Sequence, residues 1–328
     1  MVPEKSLPQL PPFLIEPRFV NRVWGYSDLR PWYDRVAGQE PIGEVWLTGD
    51  ECRVATGAHA GKSLAALFEE SPQALLGTSA PRAESPLLVK IIFAREKLSV
   101  QVHPDDSLAQ KYGQPRGKTE CWYALAADPG AQVAAGLKPG VTMRQIEEGI
   151  HSGSLEKSLN ILPISKGDMV FVDAGTVHAI WPGSILLETQ QNSDITYRMY
   201  DYGRPRELHI EKSLEATRLT TRAGKVPPKA LEDRTILIDV EYFRVEQVIV
   251  AGARSSSSLA GEGEGSQGLS YLFAASGSAR LTSNSFETVE IAARGIACIP
   301  AASPPFAVED LGGLDLIRIS PRWPTAAK

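Results

Sequence analysis

Residues 167–180 read GDMVFVDAGTVHAI, in which a glycine precedes an apolar strand, a turn of small residues and the start of a second apolar run. Short apolar runs of this kind recur along the whole chain, bounded by Gly, Pro, Asn and Asp. Examples are EVWLTG (44–49), LLVKIIF (87–93), LSVQVH (98–103), CWYALA (121–126), FRVEQVIV (243–250) and LSYLFAA (269–275). The many β-branched residues and the closely spaced turn signals favour an all-β sandwich or barrel.

Helical patterning is confined to a few inserts. Residues 63–77 begin with Ser and carry apolar residues at helical spacing, and residues 105–113 begin with Asp and end with Gly. Residues 142–162 read as two further helices. These inserts are too few and too irregularly placed for a repeating βαβ fold.

Residues 167–180 also indicate an internal repeat. They can be laid without a gap over GIACIPAASPPFAV (295–308), and His178 then falls on Phe306. A polar, proline-containing stretch at 220–235 is typical of a linker. We therefore predict two related domains, residues 1–225 with the ligand-type side chains and residues 226–328 without metal ligands.

The bulk composition excludes several classes of partner. The 328 residues carry a net charge of −5, so there is no basic surface signal for nucleic acid or anionic lipid. The start of the chain lacks the features of a secretory signal, and the most apolar stretch (86–94) is too short to span a bilayer. Three widely spaced cysteines favour buried free thiols in a reducing cytoplasm. The oligomeric state is left open.

Ligand-type side chains occur at three separate places in the N-terminal half. Gln101 and His103 lie two residues apart and share one face of a strand. Glu120 begins the next strand-like run, and His178 follows the turn after another strand. Two imidazoles, a carboxylate and an amide suit zinc, or iron, cobalt or manganese, and without a thiolate the set is typical of a catalytic metal. The remaining histidines have no partner at ligand spacing: His59, His151 and His209.

Charged side chains surround the same elements. Lys90 interrupts an apolar run, where burial would be costly without a partner, so a functional role is favoured. Lys118 precedes Glu120 by two residues and shares its face on a strand. The segment 188–198 supplies two acids and an arginine: Glu188, Asp194 and Arg198. Lys118 and Arg198 could each be surface charges. Together with a metal, the cations would form a pocket for an anionic, oxygen-rich ligand.

These segments resemble one enzyme family. PLLVKIIFAREKLSVQVHPDD (86–106), GKTECWYAL (117–125), GDMVFVDAGTVHAI (167–180) and ETQQNSDITYRMYDYGR (188–204) are similar to the type I mannose-6-phosphate isomerases in their short bacterial form, which belong to the cupin superfamily. The likeness extends to RFVNRVWGYSDL (18–29), IGEVWLTG (42–49) and the helical residues 137–160. It therefore covers most of residues 15–215.

The resemblance implies two cupin-like jelly-roll barrels, with the catalytic domain at residues 1–225. It implies Zn²⁺, or another divalent transition metal, held by Gln101, His103, Glu120 and His178. It also implies roles beside a sugar phosphate substrate: Arg198 as the catalytic arginine, Lys118 and Asp194 beside the substrate, and Ser99 and Lys90 near the phosphate or pocket wall. Mannose 6-phosphate and fructose 6-phosphate would interconvert through a cis-enediol, with Lys118, Glu188 or Asp194 as the base.

The chain departs from the family pattern at two positions. Asp173 stands where cupin patterns usually have proline, and Gly117 stands where longer relatives have a histidine near the substrate. Two alternative functions stay open, namely an isomerase with a different or relaxed sugar substrate and a non-catalytic cupin that binds a sugar phosphate. The presence of Lys118 and Arg198 favours an enzyme, because a sensor needs no proton-transfer groups.

Overall fold

The computed structural model describes residues 8–78, 80, 83–250, 252–255, 259 and 268–323. The strands are β1 Phe13–Leu14, β2 Arg18–Tyr26, β3 Ile42–Trp46, β4 Leu87–Ala94, β5 Val100–Val102, β6 Glu120–Ala127, β7 Gln132–Leu137, β8 Leu159–Pro163, β9 Met169–Val172, β10 His178–Ile180, β11 Ser184–Gln191, β12 Tyr197–Tyr200, β13 Gly224–Val226, β14 Lys229–Ala230, β15 Arg234–Asp239, β16 Phe243–Val248, β17 Arg254–Ser255, β18 Ser270–Ser276, β19 Ala279–Thr282, β20 Val289–Ile291, β21 Ile296–Ile299, β22 Ala307–Asp310 and β23 Asp315–Pro321. The helices are α1 Leu64–Glu70, α2 Pro72–Leu76, α3 Asp106–Lys111, α4 Met143–Ser152 and α5 Ile210–Ala216, with a 3-10 helix at Leu155–Ser158. The predicted all-β fold with short helical inserts is confirmed.

The chain forms two compact units that are interleaved in sequence. One, called the N-unit here, contains residues 19–46 and 87–227. The other, called the C-unit, contains the described parts of 1–18, 47–86 and 228–328. The predicted boundary after residue 225 lies close to residue 227, where the chain passes from the N-unit to the C-unit for the last time. The division into two consecutive domains stays a prediction.

The N-unit consists of two antiparallel sheets with an apolar core between them. One sheet has seven strands in the order β13-β9-β6-β11-β4-β3-β2, and the other has five in the order β12-β5-β10-β7-β8. Trp24, Trp122 and Val170 from the larger sheet pack with Val133 and Ile180 from the smaller. This two-sheet arrangement is cupin-like, and alternate residues of each strand face the space between the sheets.

The outer face of the five-stranded sheet is covered by helices. Ile146 and Ile150 of α4 are buried in a second core with Val100 and Val102 of β5. Thr142 and Gln145 form a capping box at the start of α4, and Gly153 ends it in the left-handed region. The second helix predicted within 142–162 is present only as the short 3-10 helix at Leu155–Ser158, after which the chain enters β8.

The C-unit repeats the topology of the N-unit. Its sheets have the orders β1-β21-β18-β23-β16-β15-β14 and β17-β22-β19-β20, which match the N-unit strand for strand except at β12. A bulge interrupts the pairing with the neighbouring strand just after Ala124 in β6 and just after Ala274 in β18. With these bulges aligned, Glu120 corresponds to Ser270. Within the described part of the chain, the C-unit has no counterpart of β12.

The gapless overlay of 167–180 on 295–308 is wrong by one residue in the strand. Val172 pairs with Glu120, and Ile299 pairs with Ser270, so Val172 corresponds to Ile299 and not to Pro300. A shift of one residue would turn every side chain to the opposite face. The turn after the strand is two residues longer in the C-unit, so no gapless overlay fits both the strand before the turn and the strand after it.

Among the residues that the structure describes, none of the helices combines the length and apolar character needed to cross a membrane.

Candidate active site

Two neighbouring strands of the smaller sheet and one strand of the larger sheet of the N-unit bring the predicted ligands together. His178 of β10 lies directly opposite Gln101 of β5, and Glu120 of β6 approaches from the facing sheet. The ligand-type atoms of His103, Glu120 and His178 all lie within 4.8 Å of one another. Each of these three side chains is at most 1% exposed.

Hydrogen bonds orient both imidazoles toward this cluster. The Nδ1–H of His103 donates to the carbonyl of Ile195 at 2.7 Å, and that of His178 donates to the carbonyl of Thr176 at 2.8 Å. The lone pair of each Nε2 therefore points at Glu120, whose oxygens lie 3.5 and 3.4 Å away. Fixing the ring through its second nitrogen is what metal-binding histidines require.

Burial keeps the two imidazoles neutral. It lowers the pKa of His178 to about 4, and together with the charge of Lys118 it lowers the pKa of His103 well below its ordinary value. Burial, followed by repulsion from Glu188, raises the pKa of Glu120 to about 8. The cluster thus contains two neutral nitrogen donors and a carboxyl group that a divalent cation would ionise.

The residues present fit a divalent metal ion. In the described part of the structure, neither carboxylate oxygen of Glu120 has a hydrogen bond of good geometry, although the Nζ of Lys118 lies 2.9 Å from Oε2. A buried carboxylate without such partners is costly unless a cation binds it. Gln101 donates from Nε2 to His178 at 3.1 Å, and a half-turn of its amide would present Oε1 to the same centre.

A cavity of about 350 Å³ opens beside the cluster. It is lined by all six of the predicted catalytic and substrate-binding side chains, and by three charged residues that the sequence did not indicate. The predicted residues on its wall are Lys90, Ser99, Gln101, Lys118, Glu120, Glu188, Asp194 and Arg198. The additional charged residues are Arg22, Glu44 and Arg206.

Alternating charges form a buried row across the larger sheet. Lys118 lies 3.9 Å from Glu188, Glu188 lies 2.8 Å from Lys90, and Lys90 lies 3.7 Å from Glu44, which accepts from Arg22 at 2.9 Å. Lys90 therefore has the partners that its burial requires. Burial opposes ionisation of Glu188, but Lys90 and Lys118 outweigh it and hold the pKa of Glu188 well below its ordinary value.

Arg198 differs from the lysines because it has no carboxylate partner in the described residues. Its Nη1 donates to the backbone carbonyl of Glu207 at 2.8 Å, and its Nε is buried without a hydrogen-bond partner in that part of the chain. Burial, followed by repulsion from Arg206, lowers its pKa. His209, interpreted from sequence as structural, accepts from the backbone N–H of Arg198 and so fixes the strand that carries it.

The two departures from the family pattern have local explanations. A Cβ at Gly117 would lie 2.4 Å from the carbonyl carbon of Asp105, so the close approach of two backbone segments leaves no room for a histidine. Asp173 accepts from the hydroxyl of Thr176 at 2.8 Å and from the backbone N–H of Arg222 at 3.1 Å. It thus stabilises the turn before His178.

Comparisons with known proteins identify one enzyme family as similar to this chain. A family model for the catalytic domain of type I phosphomannose isomerases matches residues 13–135. A mannose-6-phosphate isomerase of Streptococcus mutans is 34% identical over 256 residues, which span 74% of this chain and 80% of that protein.

Solved structures are similar over almost the whole chain. The mannose 6-phosphate isomerase of Bacillus subtilis has a TM-score of 0.82 at 29% identity and covers 94% of this chain and 99% of its own. A zinc-bound mannose 6-phosphate isomerase has a TM-score of 0.76 at 18% identity, covering 95% of this chain and 100% of its own. At that identity the second likeness shows the fold alone.

Proposed function

This chain belongs to the type I mannose-6-phosphate isomerases, and from that premise we propose that it interconverts mannose 6-phosphate and fructose 6-phosphate through a cis-enediol in the N-unit cavity. The observation that carries the proposal is the shared location of two kinds of group. The cluster of His103, Glu120 and His178 borders the cavity through Glu120, and the same cavity is lined by an arginine, Arg198, that has no carboxylate partner in the described residues.

We propose that Gln101, His103, Glu120 and His178 hold zinc. When bound, zinc supplies Lewis-acid polarisation of the sugar's carbonyl and hydroxyl oxygens. The support from this chain is the chemistry of the donor set, since neutral imidazoles, a carboxylate and an amide without thiolate are typical of catalytic sites. Another divalent transition metal would fit the same donors.

The chain's own residues must move protons and stabilise a developing negative charge. In the aldose-to-ketose direction a proton leaves C2 and is returned to C1, while the hydroxyl proton of O2 is transferred to O1. We assign the carbon-to-carbon transfer to the Nζ of Lys118, which lies 3.2 Å from Nε2 of His103 and so beside the metal cluster. Glu188 suits this step less well, because its lowered pKa makes it a weak base. Asp194 is the alternative base.

We assign to Arg198 the stabilisation of the negative charge on the enediolate. Its guanidinium borders the cavity, and its strand pairs with β5 so that Arg198 lies opposite Gln101. A fixed positive charge at a developing oxyanion stabilises the transition state more than the ground state. Ser99 is assigned to the substrate, and Lys90 to the wall, where it holds Glu188 and Glu44.

A coupled assay of the purified protein tests the proposal. We expect turnover of mannose 6-phosphate, with much weaker turnover of glucose 6-phosphate and of free mannose. A chelator should abolish this activity and zinc should restore it. Binding of the sugar phosphates without turnover would identify a non-catalytic cupin instead, and full activity of a metal-free sample would contradict the zinc assignment.

We further propose a cytoplasmic location, as predicted from the cysteines. It is supported by the three cysteines, which are buried and form no disulfide in the described part of the chain: Cys52, Cys121 and Cys298.

A further inference from the structure

We infer that Arg206 binds the phosphate group of the substrate and that Asp201 is the residue that positions it. The inference rests on the proposed function, because it takes the substrate to be a sugar phosphate. Arg206 lies in the loop after β12, where no sequence pattern indicated a role, yet it lines the same cavity as Ser99 and Arg198.

Asp201 fixes the orientation of Arg206. Its carboxylate is 2% exposed and accepts from Nε and Nη2 of Arg206, both at 2.7 Å. This bidentate pair occupies one edge of the guanidinium. In the part of the chain that the structure describes, the Arg206 side chain makes no other hydrogen bond, so both protons of Nη1 and the second proton of Nη2 are left for a ligand. A planar fork held in this way matches a phosphate.

The pairing with Asp201 does not cancel the positive charge of this wall. Arg204 also contacts Asp201, with Nη2 at 3.0 Å from Oδ1, so two guanidinium groups share one carboxylate. Arg198, close enough to Arg206 for its pKa to be lowered by it, adds a further charge without a carboxylate partner among the described residues. Glu207 also lies close enough to Arg198 to affect its pKa, so three arginines and two carboxylates leave a surplus of one positive charge, which favours an anion.

The opposite wall is less suited to the phosphate. Lys90 lies 2.8 Å from Glu188 and 3.7 Å from Glu44, so a phosphate at Lys90 would face two carboxylates. Like charges at such distances are strongly repulsive in a buried site. The net charge therefore directs the phosphate toward Arg206.

The loop that carries Arg206 is hydrogen-bonded to the segment that contains Ser99 and leads into β5. The Nη2 of Arg204 donates to the backbone carbonyl of Lys97 at 2.6 Å, two residues before Ser99. A hydroxyl, that of Ser99, and an arginine fork, that of Arg206, thus both border the cavity, on segments that this hydrogen bond joins. This combination provides the neutral and the charged donors typical of a phosphate subsite.

The experiment compares ligands that differ only in the phosphate. The zinc-loaded full chain and its variants Arg206→Ala, Arg206→Lys and Arg204→Ala are titrated calorimetrically with glucitol 6-phosphate, an unreactive alcohol, and with glucitol. In parallel, kcat and KM are measured for mannose 6-phosphate. Thermal melting identifies any variant that fails to fold.

We expect Arg206→Ala to weaken binding of glucitol 6-phosphate by about 10- to 100-fold, the loss typical of a hydrogen-bonded charge. The affinity for glucitol should stay within about twofold, and the loss in kcat/KM should be mainly a rise in KM. Arg206→Lys should recover part of the affinity. Arg204→Ala, which removes the other arginine on Asp201, should have a smaller effect.

Unchanged affinity in Arg206→Ala, an equal loss for both ligands, or an equal loss in Arg204→Ala would each overturn the inference. A wild-type protein that prefers glucitol 6-phosphate but does not turn over mannose 6-phosphate would instead contradict the proposed function. In that case the binding arm still decides the role of Arg206.

Discussion

The two units share one strand order but use the same inward positions in opposite ways. In the N-unit, Glu188 lies opposite Lys90 on the neighbouring strand, Glu120 lies diagonally across from Glu188 on the other side, and all three line a cavity. The corresponding positions in the C-unit are Ser270, Arg318 and Glu246, so the charges at the last two are reversed.

The charges of the C-unit bind one another. Glu246 is fully buried and contacts three arginines at 2.9 to 3.4 Å: Arg234, Arg244 and Arg318. In the N-unit, by contrast, the Glu120 carboxylate and the Arg198 guanidinium remain available to ligands. The difference indicates that a cupin-like scaffold can form a ligand-binding site when some of its buried charged side chains are not paired with opposite charges inside the protein.

The largest expected effect distinguishes His178 of the N-unit from Phe306, the residue on which it was overlaid in the C-unit. His178→Ala should remove the metal and lower kcat/KM at least about 1,000-fold, because Lewis-acid stabilisation of several kcal/mol is lost. Phe306→Ala should lower the free energy of unfolding by about 3–5 kcal/mol, since Phe306 is buried in the C-unit core, and leave the activity of the folded fraction unchanged. Metal content, kinetics and urea unfolding check both variants. Full metal content in His178→Ala would refute the assignment.

The next comparison exchanges one buried carboxylate in each unit for an amide. Glu188→Gln and Glu246→Gln should each lower the free energy of unfolding by about 3–5 kcal/mol, because each removes the nearest counter-charge of a buried cation, Lys90 in the first case and Arg318 in the second. Only Glu188→Gln should also change kcat. Loss of activity in both variants, measured at equal folded fraction, would mean that the C-unit contributes to catalysis.

Proton release on metal binding tests the pKa values of the N-unit cluster. At pH 6.5 the metal-free protein should release about one proton per zinc, from Glu120 with its pKa of about 8, and none from His178 with its pKa of about 4. Below pH 8, affinity should fall about tenfold per pH unit, since protons compete for the carboxylate. Calorimetry in two buffers counts the protons, and Glu120→Gln is the control. Release of two or more protons would show that the imidazoles are charged before binding.

The smallest expected effect is that a histidine added to the C-unit creates no second zinc site. Phe306→His restores a histidine at the overlaid position, yet the chain should still bind one zinc, because Ser270 replaces the carboxylate and Arg318 adds a positive charge. Elemental analysis after dialysis measures the stoichiometry. A second bound zinc would show that the overlay is functionally sufficient, against the register described above.

Much of the candidate site could be predicted from sequence because its residues interrupt regular patterns. Gln101 and His103 occupy one face of an alternating strand, and Lys90 stands in the middle of an apolar run. Such positions are visible without a structure because a polar side chain there must face a cavity or a partner. Arg206 could not be found in this way, because its loop has no periodicity that its role would break.

The interleaving of the two units along the chain also could not be predicted from the sequence. Residues 47–86 belong to the C-unit through contacts such as the hydrogen bond from Ala301 N–H to the carbonyl of Leu75. Pairing over such a separation leaves no local composition signal. The overlay failed by one residue for a related reason, since strand register is set by cross-strand partners such as Glu120 and not by the strand's own residues.

The pairing of β1 with β21 has a consequence for biosynthesis. All segments of the N-unit have been synthesised once residue 227 is made, but Phe13 must wait for Cys298, its strand partner near the other end of the sequence. At ordinary translation rates this delay is on the order of tens of seconds. The nascent chain therefore keeps an early apolar segment without its strand partner after the whole N-unit has been made, and that segment is where we expect a chaperone to bind first.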